Sequence, residues 1–310
     1  MKKVGIIGGS GFIGSHVTKL FLDNGFDVKV STTDISREDK YQHLMQLKHT
    51  EKLKICEMNV ENKKTLEDFV SNCDIVIHGG TPFILDFKDA ETQLFTPTIK
   101  GTENFLEVVK ATKGIEKVVF IASVAGWNTN FPFPADGKNF ADIFDETDTR
   151  FSSNASHPYA QAKFIANQLV EQFITENPNL PFEITTVSPT GVMGKALSKR
   201  EDSTSGGLQF LIKNKIALDD FMKMLFEDDI PFSLVDVQDV ANAIFKAAMV
   251  KGIHGKDYLL TSETYKISDI HLMLNQKEPL AKGMIVYRND LAMHDLNMYF
   301  KPVKDCLYNF

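Results

Sequence analysis

A tyrosine and a lysine four residues apart, Tyr159 and Lys163, are the strongest candidates for chemistry in this sequence. We predict that both lie on a helix beginning near Pro158, where residues four apart project from the same face. A free phenol titrates near pH ~10, but an ammonium about 4 Å away, at an effective dielectric of about 20, favours the phenolate by roughly 4 kcal/mol, or about three pKa units. Burial opposes this effect. We expect Lys163 to tune Tyr159 as a general acid, although such a pair also arises by chance on helix surfaces.

Three glycines, Gly8, Gly11 and Gly14, follow an apolar segment at residues 4–7 and precede an amphipathic segment. This pattern predicts a buried strand, a turn and a helix. Glycines at this spacing allow a tight turn, the approach of a pyrophosphate to the backbone, and close packing of the helix on the strand. The N-terminus of such a helix offers N–H groups and a positive dipole end to phosphates. We predict a dinucleotide-binding loop; the alternative is a structural turn in an α/β protein.

Ser123 ends one predicted strand, residues 117–123, and Gly79 and Gly80 follow another, residues 74–78. Ligands of open α/β sheets bind beyond the carboxyl ends of the strands, so these residues are expected at the site. A plain turn would also use the two glycines. We interpret His78 as a packed histidine rather than a catalytic one. The next segment, residues 124–157, lacks clear periodicity, and we expect it to form a wall of the substrate pocket.

The end of the second predicted strand, residues 27–32, should distinguish NAD from NADP. An acidic residue there accepts the ribose 2′-hydroxyl of NAD, whereas a basic residue binds the 2′-phosphate of NADP. Asp34 lies at the expected distance from the glycines but one or two positions past the strand, and Arg37 and Lys40 follow it. We favour NADP over NAD; a solvated basic face is the alternative for Arg37 and Lys40.

The composition fits a globular protein without nucleic-acid partners. The chain has 310 residues, 43% hydrophobic and 24% charged, with a formal net charge of −7. The acidic balance and the lack of a basic stripe argue against nucleic acid. The three cysteines and eight histidines show no disulfide or metal-ligand spacing, so we expect no metal site. No apolar run is long enough for a membrane span, and a cytoplasmic location is the expectation.

Taken together, the glycine loop, Ser123, Tyr159 and Lys163 resemble the extended short-chain dehydrogenase/reductases (the NAD-dependent epimerase/dehydratase superfamily) over residues 3–260. Segments 78–82, 97–102 and 188–190 are similar to the branch of dihydroflavonol, cinnamoyl-CoA and aldehyde reductases. The resemblance implies a catalytic trio of Ser123, Tyr159 and Lys163. It implies cofactor contacts from Gly8, Ser10, Gly11, Phe12, Ile13, Gly14, Thr33, Arg37, Asn59, Val60, Gly79, Gly80, Thr81, Lys163, Pro189 and Thr190. We place Pro82, Trp127 and Asn128 beside the substrate.

The resemblance implies an NAD(P)-dependent enzyme that reduces an aldehyde or ketone, a small-molecule carbonyl substrate. One departure is Thr33, which stands where the branch carries the arginine that binds the 2′-phosphate; Arg37 could substitute for it. The first alternative is a nucleotide-sugar epimerase or dehydratase, which usually carries asparagine where Thr98 stands. The second is a dinucleotide-binding regulator without catalysis, since a fold does not fix a function.

We expect an α/β fold: a Rossmann-type doubly wound parallel sheet with a smaller C-terminal substrate lobe. The dinucleotide-binding domain is predicted to span residues 1–194, with residues 231–255 returning to it. Residues 195–230 and 256–310 are assigned to the lobe. Homodimerisation through the long helices is common among the enzymes that the chain resembles, and is a further expectation.

Overall fold

The computed structural model describes residues 2–79, 88–198, 204–218 and 220–310. In chain order its strands are β1 (Lys3–Ile7), β2 (Asp27–Thr32), β3 (Leu53–Glu57), β4 (Ile75–His78), β5 (Lys117–Ile121), β6 (Glu183–Pro189), β7 (Gly191–Met193), β8 (Pro231–Asp236), β9 (Asp257–Leu260) and β10 (Thr264–Lys266). Its α-helices are α1 (Phe12–Asp23), α2 (Lys63–Val70), α3 (Thr96–Ala111), α4 (Pro158–Glu176), α5 (Thr204–Asn214), α6 (Asp220–Glu227), α7 (Val237–Met249), α8 (Ile267–Leu274), α9 (Asp290–Asp295) and α10 (Val303–Leu307).

Within the described residues, seven parallel strands form one sheet in the order β3-β2-β1-β4-β5-β6-β9. The chain runs outward from β1 to β3 and then returns to β4 on the other side of β1. In open α/β sheets, ligands bind at such a reversal, beyond the carboxyl ends of the strands, which here are β1 and β4. The predicted Rossmann-type α/β fold is confirmed.

Helices cover both faces of this sheet, because its central strands are apolar on both sides. On one face α1 and α7 pack together, and their side chains Phe21 and Ile244 belong to a core shared with Val4 and Val30. On the other face α2, α3 and α4 bury a second core that includes Phe105 and residues from β4 and β5. The sheet is therefore enclosed, and its carboxyl edge remains as the place for a site.

A second, three-stranded sheet pairs β8 with β7 in parallel and with β10 in antiparallel orientation. Helices α5, α6, α8 and α10 contribute to the core beside it. Strand membership differs from the predicted division in two ways. First, β7 and β8 were assigned to the dinucleotide-binding domain, but they belong to the small sheet. Second, β9 was assigned to the lobe, but it pairs with β6 as the seventh strand of the large sheet.

The chain after β10 also returns to the large sheet. Helix α9 contacts β9, and the side chains of Ala292, Leu296 and Phe300 join the core that contains Val4. A strand of four residues such as β9 gives too short an apolar pattern to show in advance which sheet it joins. Among the described residues, no helix is both long enough and apolar enough to span a bilayer.

Candidate active site

The glycine loop between β1 and α1 is shaped by close backbone contacts. Gly8 has a φ of 79°, which favours glycine. A Cβ on Gly14 would lie 2.0 Å from the carbonyl oxygen of Gly8, so no larger residue fits where α1 meets the turn. In the described chain, no side chain caps the N-terminus of α1, and Gly11 occupies the N-cap position. The first-turn N–H groups therefore fit a pyrophosphate, the group that this loop was predicted to hold.

Three residues that the sequence did not single out support the loop. The Ser31 hydroxyl of β2 accepts a hydrogen bond from the Gly8 N–H at 3.0 Å. Thr18 donates to the Gly9 carbonyl at 3.0 Å, and a Cβ on Gly9 would lie 2.8 Å from the Val30 side chain. The outer residues of the turn, Ser10, Gly11, Phe12 and Ile13, remain at least partly accessible.

The predicted adenosine-binding residues lie past the carboxyl ends of β2 and β3. Thr33, Arg37 and Asn59 are exposed, and Val60 is half-buried against Gly101 of α3. The Arg37 guanidinium makes a two-point contact with Asp39, its Nε and Nη2 each 2.9 Å from a carboxylate oxygen.

Asp34, the acidic residue near the strand end, is turned towards its own loop. Its Oδ1 accepts hydrogen bonds from the Ser36 N–H at 2.9 Å and the Ser36 hydroxyl at 2.6 Å. These bonds, together with the charges of Arg37 and Lys40, lower the pKa of the Asp34 carboxyl. Asp34 is therefore an anion whose Oδ1 is already engaged.

His78 ends β4 as a packed residue, as the sequence predicted. Its ring is stacked on Phe120, with the ring centroids 5.0 Å apart, and lies against Phe105. Burial and, to a smaller extent, the charge of Lys163 together lower the pKa of His78 to about 3, so the ring is neutral. Neither ring nitrogen has a hydrogen-bond partner in the described part of the chain. Gly79 follows beside the end of β1, while Gly80, Thr81 and Pro82 lie outside the described residues.

The predicted catalytic residues converge on the carboxyl side of β5. Helix α4 begins at Pro158, and the His157 side chain caps it by accepting a hydrogen bond from the Tyr159 N–H at 3.2 Å. Tyr159 is half-buried, and its hydroxyl is hydrogen-bonded to that of Ser123, two residues past β5. Lys163, one turn along α4, is 6% exposed. The structure therefore brings the serine and tyrosine hydroxyls together and places the lysine one turn along the same helix.

The electrostatics of this cluster differ from the expectation. Burial raises the pKa of Tyr159 above its usual range, and the hydrogen bond with Ser123 only partly offsets this. Burial also lowers the pKa of Lys163 to about 8. The prediction that Lys163 lowers the pKa of Tyr159 into the neutral range is wrong for this structure, because removing both groups from water penalises each charged form. The phenol keeps its proton at neutral pH.

Other predicted residues occupy neighbouring positions. Pro189 ends β6, and Thr190 is buried against β9 through a hydrogen bond from its N–H to the Leu260 carbonyl at 3.0 Å. Trp127 and Asn128, which are predicted to contact substrate, are buried. The Asn128 amide nitrogen donates to the Phe133 carbonyl and the Tyr287 hydroxyl at 2.8 and 3.0 Å. Sequence alone could not show that the wall segment folds inward at these two positions.

The enclosed parallel sheet and its glycine loop define a Rossmann-type dinucleotide-binding protein. Comparison with known families identifies the family within this class. The profile of the NAD dependent epimerase/dehydratase family matches residues 4–260, and the chain belongs to this family. The predicted resemblance is confirmed, and the chain is a nicotinamide-dinucleotide-dependent oxidoreductase.

The relatives of this chain include several plant reductases. It is 26% identical to an anthocyanidin reductase of Vitis vinifera over 283 residues, which cover 89% of this chain and 81% of the relative. It is 27% identical to a cinnamoyl-CoA reductase of Medicago truncatula over 253 residues, which cover 80% and 74%. Among solved structures, the yeast methylglyoxal/isovaleraldehyde reductase Gre2 complexed with NADPH superposes with a TM-score of 0.80, at 21% identity and covering 99% and 96% of the two chains.

Proposed function

We propose that this protein is a carbonyl reductase that transfers a hydride from a reduced nicotinamide to a small aldehyde or ketone. The observation that carries the proposal is the hydrogen bond between the Ser123 and Tyr159 hydroxyls beside the buried amine of Lys163. Two hydroxyl groups that meet at one point can both donate to a single oxygen as negative charge develops on it. This is the requirement for stabilising an alkoxide that forms from a carbonyl.

Tyr159 is the proton donor in this proposal. Because burial raises the pKa of its phenol, the group carries the proton that a reduction consumes. Ser123 donates a hydrogen bond to the same substrate oxygen, and Lys163 holds the nicotinamide ribose and supplies positive charge beside the phenol. The bound cofactor supplies the hydride. The reductase names of the relatives support this reaction type.

We propose NADP as the preferred cofactor, with NAD as the weaker one. Asp34, the acid that could accept the 2′-hydroxyl of NAD, is engaged with Ser36, whereas Arg37 and Lys40 place positive charge near it. The ion pair between Arg37 and Asp39 is exposed, so exchange of Asp39 for a phosphate costs little. The NADPH complex of the yeast reductase supports the same choice.

The test is Tyr159→Phe, which removes the proton donor and little volume. We expect turnover of NADPH with small aldehydes to fall at least 100-fold, while the dissociation constant for NADPH stays within threefold, because general acid catalysis contributes about 10²–10⁴. Tyr258→Phe is the matched control: its hydroxyl contacts Asp295 at 3.0 Å, away from the trio, so the variant should keep normal turnover.

Unchanged reduction by Tyr159→Phe would refute the assignment. Cofactor that survives purification, together with epimerisation of a nucleotide sugar and no oxidation of NADPH by aldehydes, would show an epimerase instead.

A further inference from the structure

A buried ion pair, Arg150 with Asp257, lies behind the Ser–Tyr–Lys trio. The Arg150 Nη2 is 3.0 Å from the Asp257 Oδ2, and the two side chains are only 16% and 8% exposed. Arg150 lies within the segment that was expected to wall the pocket, residues 124–157, and Asp257 begins β9. Neither residue belongs to the glycine loop or to the trio, and the proposed reaction assigns neither a role.

Asp257 connects this ion pair to two elements of the proposed site. Its Oδ2 also accepts a hydrogen bond from the Asn167 amide at 3.0 Å, and its Oδ1 accepts one from the Ser188 hydroxyl at 2.7 Å. Asn167 lies on α4 one turn after Lys163, on the same face. Ser188 immediately precedes Pro189 at the end of β6. One carboxylate thus fixes both the helix of Tyr159 and the strand that leads to the expected nicotinamide contacts.

Arg150 connects the ion pair to the third element, the turn that follows Ser123. Its Nη1 donates to the Gly126 carbonyl at 3.1 Å, and its guanidinium lies 3.9 Å from the centre of the Trp127 ring. Gly126 ends the 3₁₀ turn Val124–Gly126, whose N-cap is Ser123.

The turn and α4 are also in direct contact. A Cβ on Gly126 would lie 3.2 Å from the side chain of Asn167, so the turn packs closely on this residue of α4.

We propose that Arg150 and Asp257 form a positioning pair, which sets the distance between the Ser123 and Tyr159 hydroxyls by tying the Ser123 turn, α4 and β6 to one carboxylate. This inference rests on the proposed reductase function. The pair touches no reacting atom; it acts through Gly126, Asn167 and Ser188. Displacement of a catalytic group by about 1 Å can lower a rate by about 10²-fold.

Asp257→Asn is the direct test. Asparagine keeps the shape, and its oxygen can still accept from Ser188, but the NH2 group that replaces Oδ2 can accept from neither Arg150 nor Asn167. We expect kcat for NADPH-dependent aldehyde reduction to fall 10- to 100-fold. KM and the dissociation constant of NADPH should change less than threefold. The primary isotope effect with NADPH deuterated at the transferred position should rise, because the chemical step becomes more strongly limiting. Arg150→Lys keeps the charge but loses the planar guanidinium, whose two nitrogens contact Gly126 and Asp257 separately. This variant should behave in the same way.

The chain offers a control in a second ion pair on the same sheet, whose lysine is buried and whose carboxylate side chain is 29% exposed. Lys117 and Glu183 begin β5 and β6, their Nζ and Oε2 are 2.7 Å apart, and Lys117 is only 6% exposed. This pair lies at the amino ends of the strands, far from the trio. Glu183→Gln should lower the melting temperature as Asp257→Asn does, with kcat and the isotope effect unchanged.

The comparison between the two pairs decides the proposal. If Asp257→Asn lowers kcat no more than Glu183→Gln at a similar loss of melting temperature, Arg150 and Asp257 are purely structural and the proposal is wrong. If Asp257→Asn does not fold, Ser188→Ala removes one anchor only and must still lower kcat, by about threefold or more, with an increased isotope effect. Failure of the reductase function itself would be seen separately, as normal turnover by Tyr159→Phe.

Discussion

The buried amine of Lys163 predicts how the rate of reduction depends on pH. Burial lowers its pKa from 10.5 to about 8. A shift of this size corresponds to about 3 kcal/mol against the charged form, at about 1.36 kcal/mol per pKa unit. The charge of Lys163 is therefore present at pH 7 and lost as the pH rises through 8. The phenol of Tyr159 does not titrate in this interval, because burial raises its pKa.

We expect kcat/KM for NADPH-dependent reduction to be constant below pH 7 and to fall with a slope of one above pH 8. About one-tenth of the amine is charged one pH unit above its pKa, so kcat/KM at pH 9 should be about tenfold below its value at pH 7. With NADPH as the varied substrate, kcat/KM reports the ionisation of groups in the free enzyme. The pKa values given above belong to the same cofactor-free state. Stopped-flow or initial-rate measurements with NADPH and a small aldehyde give the profile directly.

Lys163→Arg identifies the titrating group. Arginine keeps its charge above pH 12, so the decrease near pH 8 should disappear even if the absolute rate is lower. Lys117→Met removes another buried lysine, which lies at the amino end of β5, away from the proposed site. This variant should leave the decrease in kcat/KM near pH 8 unchanged. An unaltered decrease near pH 8 in Lys163→Arg would show that a different group titrates, and the reasoning from burial would be refuted.

Three further predictions concern the cofactor site and stability. Gly14→Ala should weaken NADPH binding at least 100-fold, measured by nicotinamide fluorescence, because its Cβ would lie 2.0 Å from the Gly8 carbonyl oxygen. Gly207→Ala should bind normally, because within the described residues the added Cβ would meet no atom within 4 Å apart from its chain neighbours and its own helix backbone. Arg37→Ala should weaken NADPH binding about tenfold and leave NADH unchanged, whereas equal losses for both cofactors would place Arg37 outside the 2′-phosphate site. Burial raises the pKa of the Glu146 carboxyl from 4.5 to about 7. The free energy of unfolding therefore decreases as the pH rises from 4.5 through 7, because the buried carboxyl has to ionise in the folded state. Glu146→Gln should therefore raise the free energy of unfolding, measured by urea denaturation, by about 1–2 kcal/mol at pH 8 and should not raise it at pH 4. This magnitude allows for the partial exposure of the side chain. Equal effects at both pH values would contradict the prediction.

The fold was predictable because its signals are local. The apolar segment before Gly8 and the glycine spacing identify the first strand, turn and helix without any knowledge of distant residues. The family profile and the order of the strands confirm that interpretation. The predicted division put β7 in the dinucleotide-binding domain and β9 in the lobe, but β7 joins the small sheet and β9 the large one. Three or four residues are too few for their hydrophobic pattern to identify the neighbouring strand.

The contact between two of the candidate catalytic residues was predictable, but the electrostatics of these residues was not. Sequence order indicated Ser123, Tyr159 and Lys163, and α4 and β5 bring the hydroxyls of the first two together. The direction of the pKa shift of Tyr159 depends on how much water the surrounding side chains exclude, and spacing along a helix contains no information about that. The burial of Trp127 and Asn128 has the same origin, since both pack against residues far along the chain, including Tyr287.

The sequence by itself determined the order of the elements, the glycine loop and the types of side chain at the site, because strands, turns and helices follow from the period and conformational freedom of neighbouring residues. Only the tertiary structure decided that Arg150 meets Asp257 across 107 residues, and that one carboxylate anchors α4, β6 and the Ser123 turn. Contacts of that kind depend on which surfaces are buried together, and burial is a property of the whole folded chain.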